Sequence, residues 1–274
     1  MSISPELMFA ILSMDSYNRG YDPGIVGLGG EGSLLGTAIV KKDALQLLDE
    51  GAAQAAGFYA VAYDWNGKTV ISYRGTDDFT LDPAFGWPVA IGGPGAEQGK
   101  LAASFYRSVV GDDNMFTSDA LITGHSLGGG LAGLVGAVYG QKAVLFDPMA
   151  FELAADHVYE NYFRTDGSYL QALVDAYYGT TSPQPIDKSE ISGFHVDGEG
   201  LSGMASWFGT ELDDVTLGSG LDLGLGPLDR HSISLLILLQ HAKENQSTFG
   251  LNWTSISNSL MNSLYDDQLG RVLS

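Results

Sequence analysis

The sequence predicts an α/β fold: one domain of 274 residues on a mostly parallel central sheet with helices on both faces. Three observations carry that expectation. Short apolar runs alternate with longer helical stretches, the pattern of parallel strands joined by crossover helices. The length suits one large α/β unit, and no charged or Ser/Pro-rich linker divides it. Hydrophobic residues make up 45% of the chain, which argues for a buried core rather than disorder.

The elements follow in order. Met1 to Tyr17 reads as a short helix: Ser4 can cap it, Pro5 suits its first turn, and Glu6 complements its N-terminal dipole. The stretch has no Lys or Arg and is interrupted by Glu6 and Asp15, unlike a signal peptide. Residues 20–36 are Gly-rich and read as a loop. Phe58–Asp64 and Thr69–Tyr73 flank Asn66-Gly67, a strong hairpin signal. Further strands are expected at Ala120–Thr123, Ala143–Phe146 and Ile191–Val196. Helices are expected at Ala96–Val110, Leu127–Tyr139, Tyr169–Tyr178 and His231–Lys243. Two aromatic-rich segments interrupt the rhythm: Asp77–Gly95, with Phe79, Phe85 and Trp87, and Phe151–Lys188, with Tyr159, Tyr162, Phe163, Tyr169, Tyr177 and Tyr178. Each is either a surface excursion packing its own aromatics or, respectively, a lid (77–95) and a cap (151–188) over an apolar pocket.

Composition excludes several classes of function. With 33 acidic and 13 basic side chains the formal charge is −20. Phosphate binding draws on clustered Lys and Arg, so a nucleic-acid partner is excluded, and anionic membrane surfaces are repelled. The absence of cysteine removes disulfides, Cys metal sites and Cys nucleophiles. The most apolar stretch, Ile233–Leu239, is too short for a transmembrane segment. The composition suits a secreted bacterial protein without an N-terminal signal peptide, with a cytoplasmic location as the alternative.

The sharpest motif is Gly124-His125-Ser126-Leu127-Gly128. A G-x-S-x-G pattern carries chemistry when a strand runs straight into a helix through it. Ala120–Thr123 supplies the strand, and Leu127–Tyr139, rich in Gly and Ala, supplies a helix that can lie close to the sheet. Ser126 then sits at the top of a tight turn, its hydroxyl exposed at a helix N-terminus that favours developing negative charge. A serine nucleophile needs a base. In α/β-hydrolases the chain order is Ser, acid, His, so only His231 and His241 come late enough, and only His231 lies on a loop. His125 is inside the turn itself, His157 in the proposed cap and His195 in a strand. The acid should follow a strand between the two. Val196-Asp197-Gly198-Glu199-Gly200-Leu201, after Ile191–Val196, offers Glu199 and Asp197. Asp147 is a third candidate, or simply a strand-end residue with Pro148 turning the chain away. Ester hydrolysis also needs N–H donors for the oxyanion. Leu127 follows the nucleophile, and Thr76, in Tyr73-Arg74-Gly75-Thr76-Asp77, ends the hairpin's second strand.

Together, Arg74-Gly75-Thr76 and Gly124-His125-Ser126-Leu127-Gly128-Gly129 resemble the class 3 (fungal-type) lipase family of α/β-hydrolases over a core of about residues 55–245. The resemblance implies Ser126 as nucleophile, His231 as base, Thr76 and Leu127 as the oxyanion hole, and a lid after the Arg-Gly-Thr motif. Its usual acid follows a Gly and stands two residues before an apolar residue, the position of Glu199. Asp197 matches the usual residue type but not the place. Fungal members carry disulfides and this chain has none, which points to a bacterial branch.

Other motifs weigh little. Gly27–Gly32 and Gly128–Gly133 both match G-x-G-x-x-G, but the first follows strand-breaking Asp22-Pro23-Gly24 and the second is the elbow helix. No loop has calcium-hand spacing, so a structural Ca²⁺ would rest on scattered Asp residues. The expected function is a carboxylic ester hydrolase of lipase or esterase type, working through an acyl-enzyme without a cofactor. Its substrate would be a small-molecule or lipid ester, with transient contact with a lipid interface. A phospholipase, a polyester depolymerase and an acyltransferase are alternatives on the same residues. A catalytically silent acidic binding module is the alternative from another class.

Overall fold

One eight-stranded sheet organises the chain, and its spatial order is the order of the sequence: β1 (Leu34–Leu35), β2 (Ala38–Asp43), β3 (Ala60–Trp65), β4 (Lys68–Tyr73), β5 (Leu121–His125), β6 (Ala143–Phe146), β7 (Ile191–Val196) and β8 (Asp213–Leu217). The computed structural model describes residues 3–75, 96–159, 187–201, 212–220 and 224–245. The first four strands pair antiparallel, and from β4 to β8 every pairing is parallel. The β3–β4 hairpin turns at Asn66 and Gly67, both at positive φ (54° and 76°), as a two-residue turn matching the twist of the strands requires.

Adjacent residues on a strand point to opposite faces, and the side-chain partners show what covers each face. On one side, Ser72 Oγ of β4 donates to Leu12 O at 3.1 Å, and Thr123 of β5 meets Ser13 Oγ at 3.0 Å. Both partners belong to α1 (Pro5–Tyr17), which starts at the Ser4 cap, whose Oγ accepts from Leu7 N at 3.1 Å. On the other side, Tyr73 OH donates to Ala102 O of α4 (Ala96–Val110) at 2.9 Å, and Gly124 faces the start of α5 (Leu127–Tyr139). α5 is buried along its whole length and packs on α4 and on α6 (Glu152–Val158). α8 (Ile233–Glu244) packs against α1, and the short helices α2 (Ala44–Leu47), α3 (Glu50–Ala55) and α7 (Pro227–Arg230) complete the described α-helices. This is an α/β architecture, a mostly parallel sheet with helices on both faces. No helix among the described residues is long and apolar enough to cross a membrane.

Several elements differ from expectation. Residues 20–33 form the expected loop, but β1 and β2 follow it in front of the hairpin, and β8 extends the sheet beyond β7. Asp213-Asp214-Val215-Thr216-Leu217 is too polar to stand out, and its strand form comes from pairing with β7. The last helix starts at Ile233, with Ser232 held extended as its cap, so His231 precedes it. The proposed lid, Asp77–Gly95, lies outside the described residues. So do the helix expected at Tyr169–Tyr178 and most of the proposed cap. Of the cap segment, α6 is described and packs against the core helices.

Candidate active site

β5 ends at His125 and α5 begins at Leu127, so Ser126 alone makes the reversal. It does so at φ 58°, ψ −125°, a conformation that is strained for a residue with a side chain. The main chain holds it there: Ser126 N donates to Phe146 O at 3.0 Å, and Ser126 O accepts from Gly130 N and Met149 N, each at 3.0 Å. The glycines are needed for close approach. A Cβ on Gly124 would collide with the Gly128 carbonyl and stand 2.8 Å from Gly129 N; one on Gly128 would strike the Tyr73 carbonyl and lie 2.8 Å from Arg74 C. The Ser126 hydroxyl was expected to be exposed. It is buried, with the residue 1% accessible, because the turn is flanked by the end of β6 and by the loop before α8. Among the described residues Ser126 Oγ has no hydrogen-bond partner. Leaving a buried hydroxyl unsatisfied costs about 1–3 kcal/mol, and such groups concentrate where chemistry needs them.

His231 sits between α7 and α8 with its ring buried. Its Nδ1 is 3.1 Å from Glu199 Oε2, and the same oxygen accepts from Leu201 N at 2.8 Å. A carboxylate only accepts, so Nδ1 carries the proton and Nε2 carries the lone pair, the tautomer a base needs. Glu199 reaches this place through a tight turn in which Gly198 takes φ 74° and Glu199 N donates to Val196 O at 3.0 Å. Arg230 Nη1 donates to Asp197 O at 2.6 Å, tying the acid-bearing turn to the residue before His231. Of the two acids offered by this turn, the structure brings Glu199 to His231, while Asp197 contributes a main-chain carbonyl.

Behind this pair lies a connection that the sequence did not suggest. His125 is fully enclosed, and burial first, then the nearby His231, hold its pKa well below the ordinary value. It is neutral and has one N–H to give. Nε2 faces the His231 carbonyl at 3.0 Å and must donate, so Nδ1 accepts from Tyr17 OH, also at 3.0 Å. The two imidazoles lie 4.7 Å apart, centroid to centroid, tilted by 36°. His125 therefore bolts the base-bearing loop to the nucleophile turn. Tyr17, at the end of α1, also packs against Gly75, where a Cβ would strike its hydroxyl. The preceding Arg74 is buried over the rings of Tyr21 and Tyr59, at 4.4 and 5.1 Å, and donates to Tyr21 O at 2.9 Å. Thr76 lies outside the described residues. Leu127 is the first residue of α5, where main-chain N–H groups have no partner within the helix.

Asp147 is more than a strand-end residue. At φ 41° it turns its carboxyl into the same buried space. Oδ1 accepts from Val196 N at 3.0 Å, while Oδ2 has no hydrogen-bond partner among the described residues and lies 3.9 Å from His125 Nε2. Burial, then the Glu199 charge, then that of Asp214 push its pKa well above the carboxylate range, which favours the neutral carboxyl. One donor atom each from His125, Asp147 and His231 falls within 4.8 Å of the others. The set is poorly suited to a metal ion, because both His125 ring nitrogens are already engaged, by the His231 carbonyl and by Tyr17 OH. The other histidines do other things. His195 Nε2 bonds Thr216 Oγ1 at 3.0 Å and its pKa is raised by Asp214; His241 is buried in α8 beside Asn245; His157 lies in the last turn of α6.

No family model and no curated protein matches the sequence. Among solved structures, the chain is similar to a native Rhizomucor miehei lipase propeptide complex, at 13% identity over 86% of this chain and 78% of that one, with a TM-score of 0.41.

Proposed function

We propose that the chain is a serine carboxylic ester hydrolase of the class 3 lipase type, acting through Ser126, His231 and Glu199. One observation carries the reading: the hydrogen-bonded Glu199–His231 pair is fastened to the strained Ser126 turn by the His125–His231 hydrogen bond. As Ser126 Oγ attacks the ester carbonyl carbon, its proton passes to His231 Nε2 and the carbonyl oxygen becomes an oxyanion. The N–H groups of Leu127 and Thr76 would hold that oxyanion, each donor being worth about 10²–10³ in rate. Collapse expels the alcohol, which takes the proton from His231 and leaves an acyl-serine. Water then attacks the acyl carbon while His231 accepts its proton, and the carboxylic acid departs as Ser126 regains a proton. Glu199 keeps His231 in the working tautomer and stabilises the imidazolium.

The test is active-site titration with an alkyl phosphonate, followed by hydrolysis of p-nitrophenyl esters from acetate to palmitate. The wild type should be labelled in a one-to-one ratio and Ser126→Ala not at all, with turnover lower by about 10⁴ or more. A Ser126→Ala protein that keeps a tenth of wild-type turnover would sink the mechanism. An unlabelled, inactive wild type would identify a silent binding module instead.

A further inference from the structure

The geometry points to Asp147 as a second acid of this site, a positioning residue able to replace Glu199 as the anionic partner of His231. The inference rests on the ester-hydrolase reading. Asp147 ends β6, the strand between β5, which carries the Ser126 turn, and β7, which leads to Glu199. One of its carboxyl oxygens comes within 4.8 Å of a His231 ring nitrogen, a gap that a side-chain rearrangement must close for the two to bond. The Val196 N–H at 3.0 Å anchors Oδ1 and keeps the group inside the site. Oδ2 is buried and has no hydrogen-bond partner among the described residues, which a residue kept only for packing would avoid. The left-handed backbone at φ 41° is strain of the kind that collects at functional positions.

The groups facing Asp147 explain why it waits. Glu199 approaches from the turn after β7, Asp214 from β8, His125 from the end of β5 and His231 from the loop before α8. His231 already faces the Glu199 carboxylate through Nδ1. The Leu201 N–H and His231 hold Glu199 Oε2 in place, and the Glu199 charge opposes ionisation of the buried Asp147. Burial opposes Asp147 ionisation most and the Glu199 charge next, so removing that charge lowers the barrier to ionisation while the burial cost remains. Asp147 can then release its proton to solvent and face His231 as the anion.

The experiment compares wild type, Glu199→Gln, Asp147→Asn and the double variant. Ester turnover is followed across pH, and the Asp147 carboxyl is titrated by ¹³C NMR. Losing a triad acid outright costs about 10⁴ in turnover. Glu199→Gln should instead stay within about 10² of wild type, and the double variant should fall by about 10² more. Asp147→Asn alone should lose a few-fold. Turnover of Glu199→Gln should rise with pH along a limb that the double variant lacks, because Asp147 must ionise to serve. A Glu199→Gln variant as inactive as the double, with the same pH profile, overturns the proposal. So does an Asp147→Asn variant as damaged as the double. The NMR titration separates this from the hydrolase reading. The Asp147 carboxyl should ionise at lower pH in Glu199→Gln than in wild type, and an unmoved titration overturns the proposal even in a protein that hydrolyses no ester. Failure of the hydrolase reading shows separately, as a wild type that phosphonate does not label.

Discussion

Replacing Gly124 by Ala puts a methyl group into a space the backbone already fills. The new Cβ would stand 2.8 Å from Gly129 N and nearer still to the Gly128 carbonyl, where ordinary contact begins at 3.4 Å. These atoms are main chain, so no rotamer change gives relief, and β5 must part from α5 by roughly half an ångström or more. Overpacking of this kind costs about 1–3 kcal/mol. At about 2–4 °C per kcal/mol for a domain of this size, the melting temperature should drop by several degrees. Ser126 rides on the same turn. A misplacement of about 1 Å costs about 10² in rate, so half of that predicts a loss of about tenfold. Gly99→Ala in α4 is the control. Its Cβ meets Leu134 Cδ1 at 3.0 Å and Val158 Cγ2 at 3.2 Å, the ends of side chains that can move. Alanine there gains about 1 kcal/mol of helix propensity, which should offset the crowding and leave stability and turnover near wild type. Denaturant unfolding and p-nitrophenyl butyrate turnover measure both variants. Wild-type stability and turnover in Gly124→Ala, or equal damage in both variants, would refute the reasoning.

Two further outcomes follow from the buried network. Tyr17→Phe removes the hydroxyl accepted by His125 Nδ1; because Tyr17 is only half-buried, the loss of stability should be about 1 kcal/mol, with kcat falling more than KM rises as the His231 loop loosens. Unchanged stability and kcat would remove Tyr17 from the connection. Asp147→Asn tests the raised pKa through stability. In wild type the folded state keeps a proton that the unfolded chain releases above about pH 4, so stability falls as pH rises from there toward the raised pKa. The variant lacks that loss, so its melting temperature should exceed that of wild type around pH 8 and the gap should close toward pH 4. A gap that does not change with pH would refute the assignment of a protonated Asp147.

What the sequence made legible was local. Asn66-Gly67 marks the β3–β4 turn, and the helices expected at Ala96–Val110 and Leu127–Tyr139 form with those bounds, because propensity and glycine patterning act over neighbouring residues. The family resemblance favours Glu199 over Asp197 by its place after Gly198, and the structure brings it to His231 through the positive-φ turn at Gly198. Connections made across the sheet were not legible. β8 is strand because β7 offers it a ladder, not because of its own residues. Tyr17 meets His125 across 108 positions, and nothing in either neighbourhood announces the other. Asp147 read as a strand end because sequence does not tell which way a carboxyl turns; the left-handed backbone before Pro148 aims it inward.

Because strand order in the sheet repeats chain order, the sheet can grow by adding each new strand to the edge left by the one before. Neighbours in space are close in sequence, which favours rapid assembly. The helix under the sheet obeys a different clock. Ser13 of α1 pairs with Thr123, 110 positions later, and Ser4 is clasped by Glu244 of α8, 240 positions away. These distant closures are the ones that set Tyr17 against His125 and bring His231 to the Ser126 turn. The Tyr17–His125–His231 connection therefore depends on contacts between residues more than 100 positions apart, whereas most of the sheet pairs neighbours in the chain.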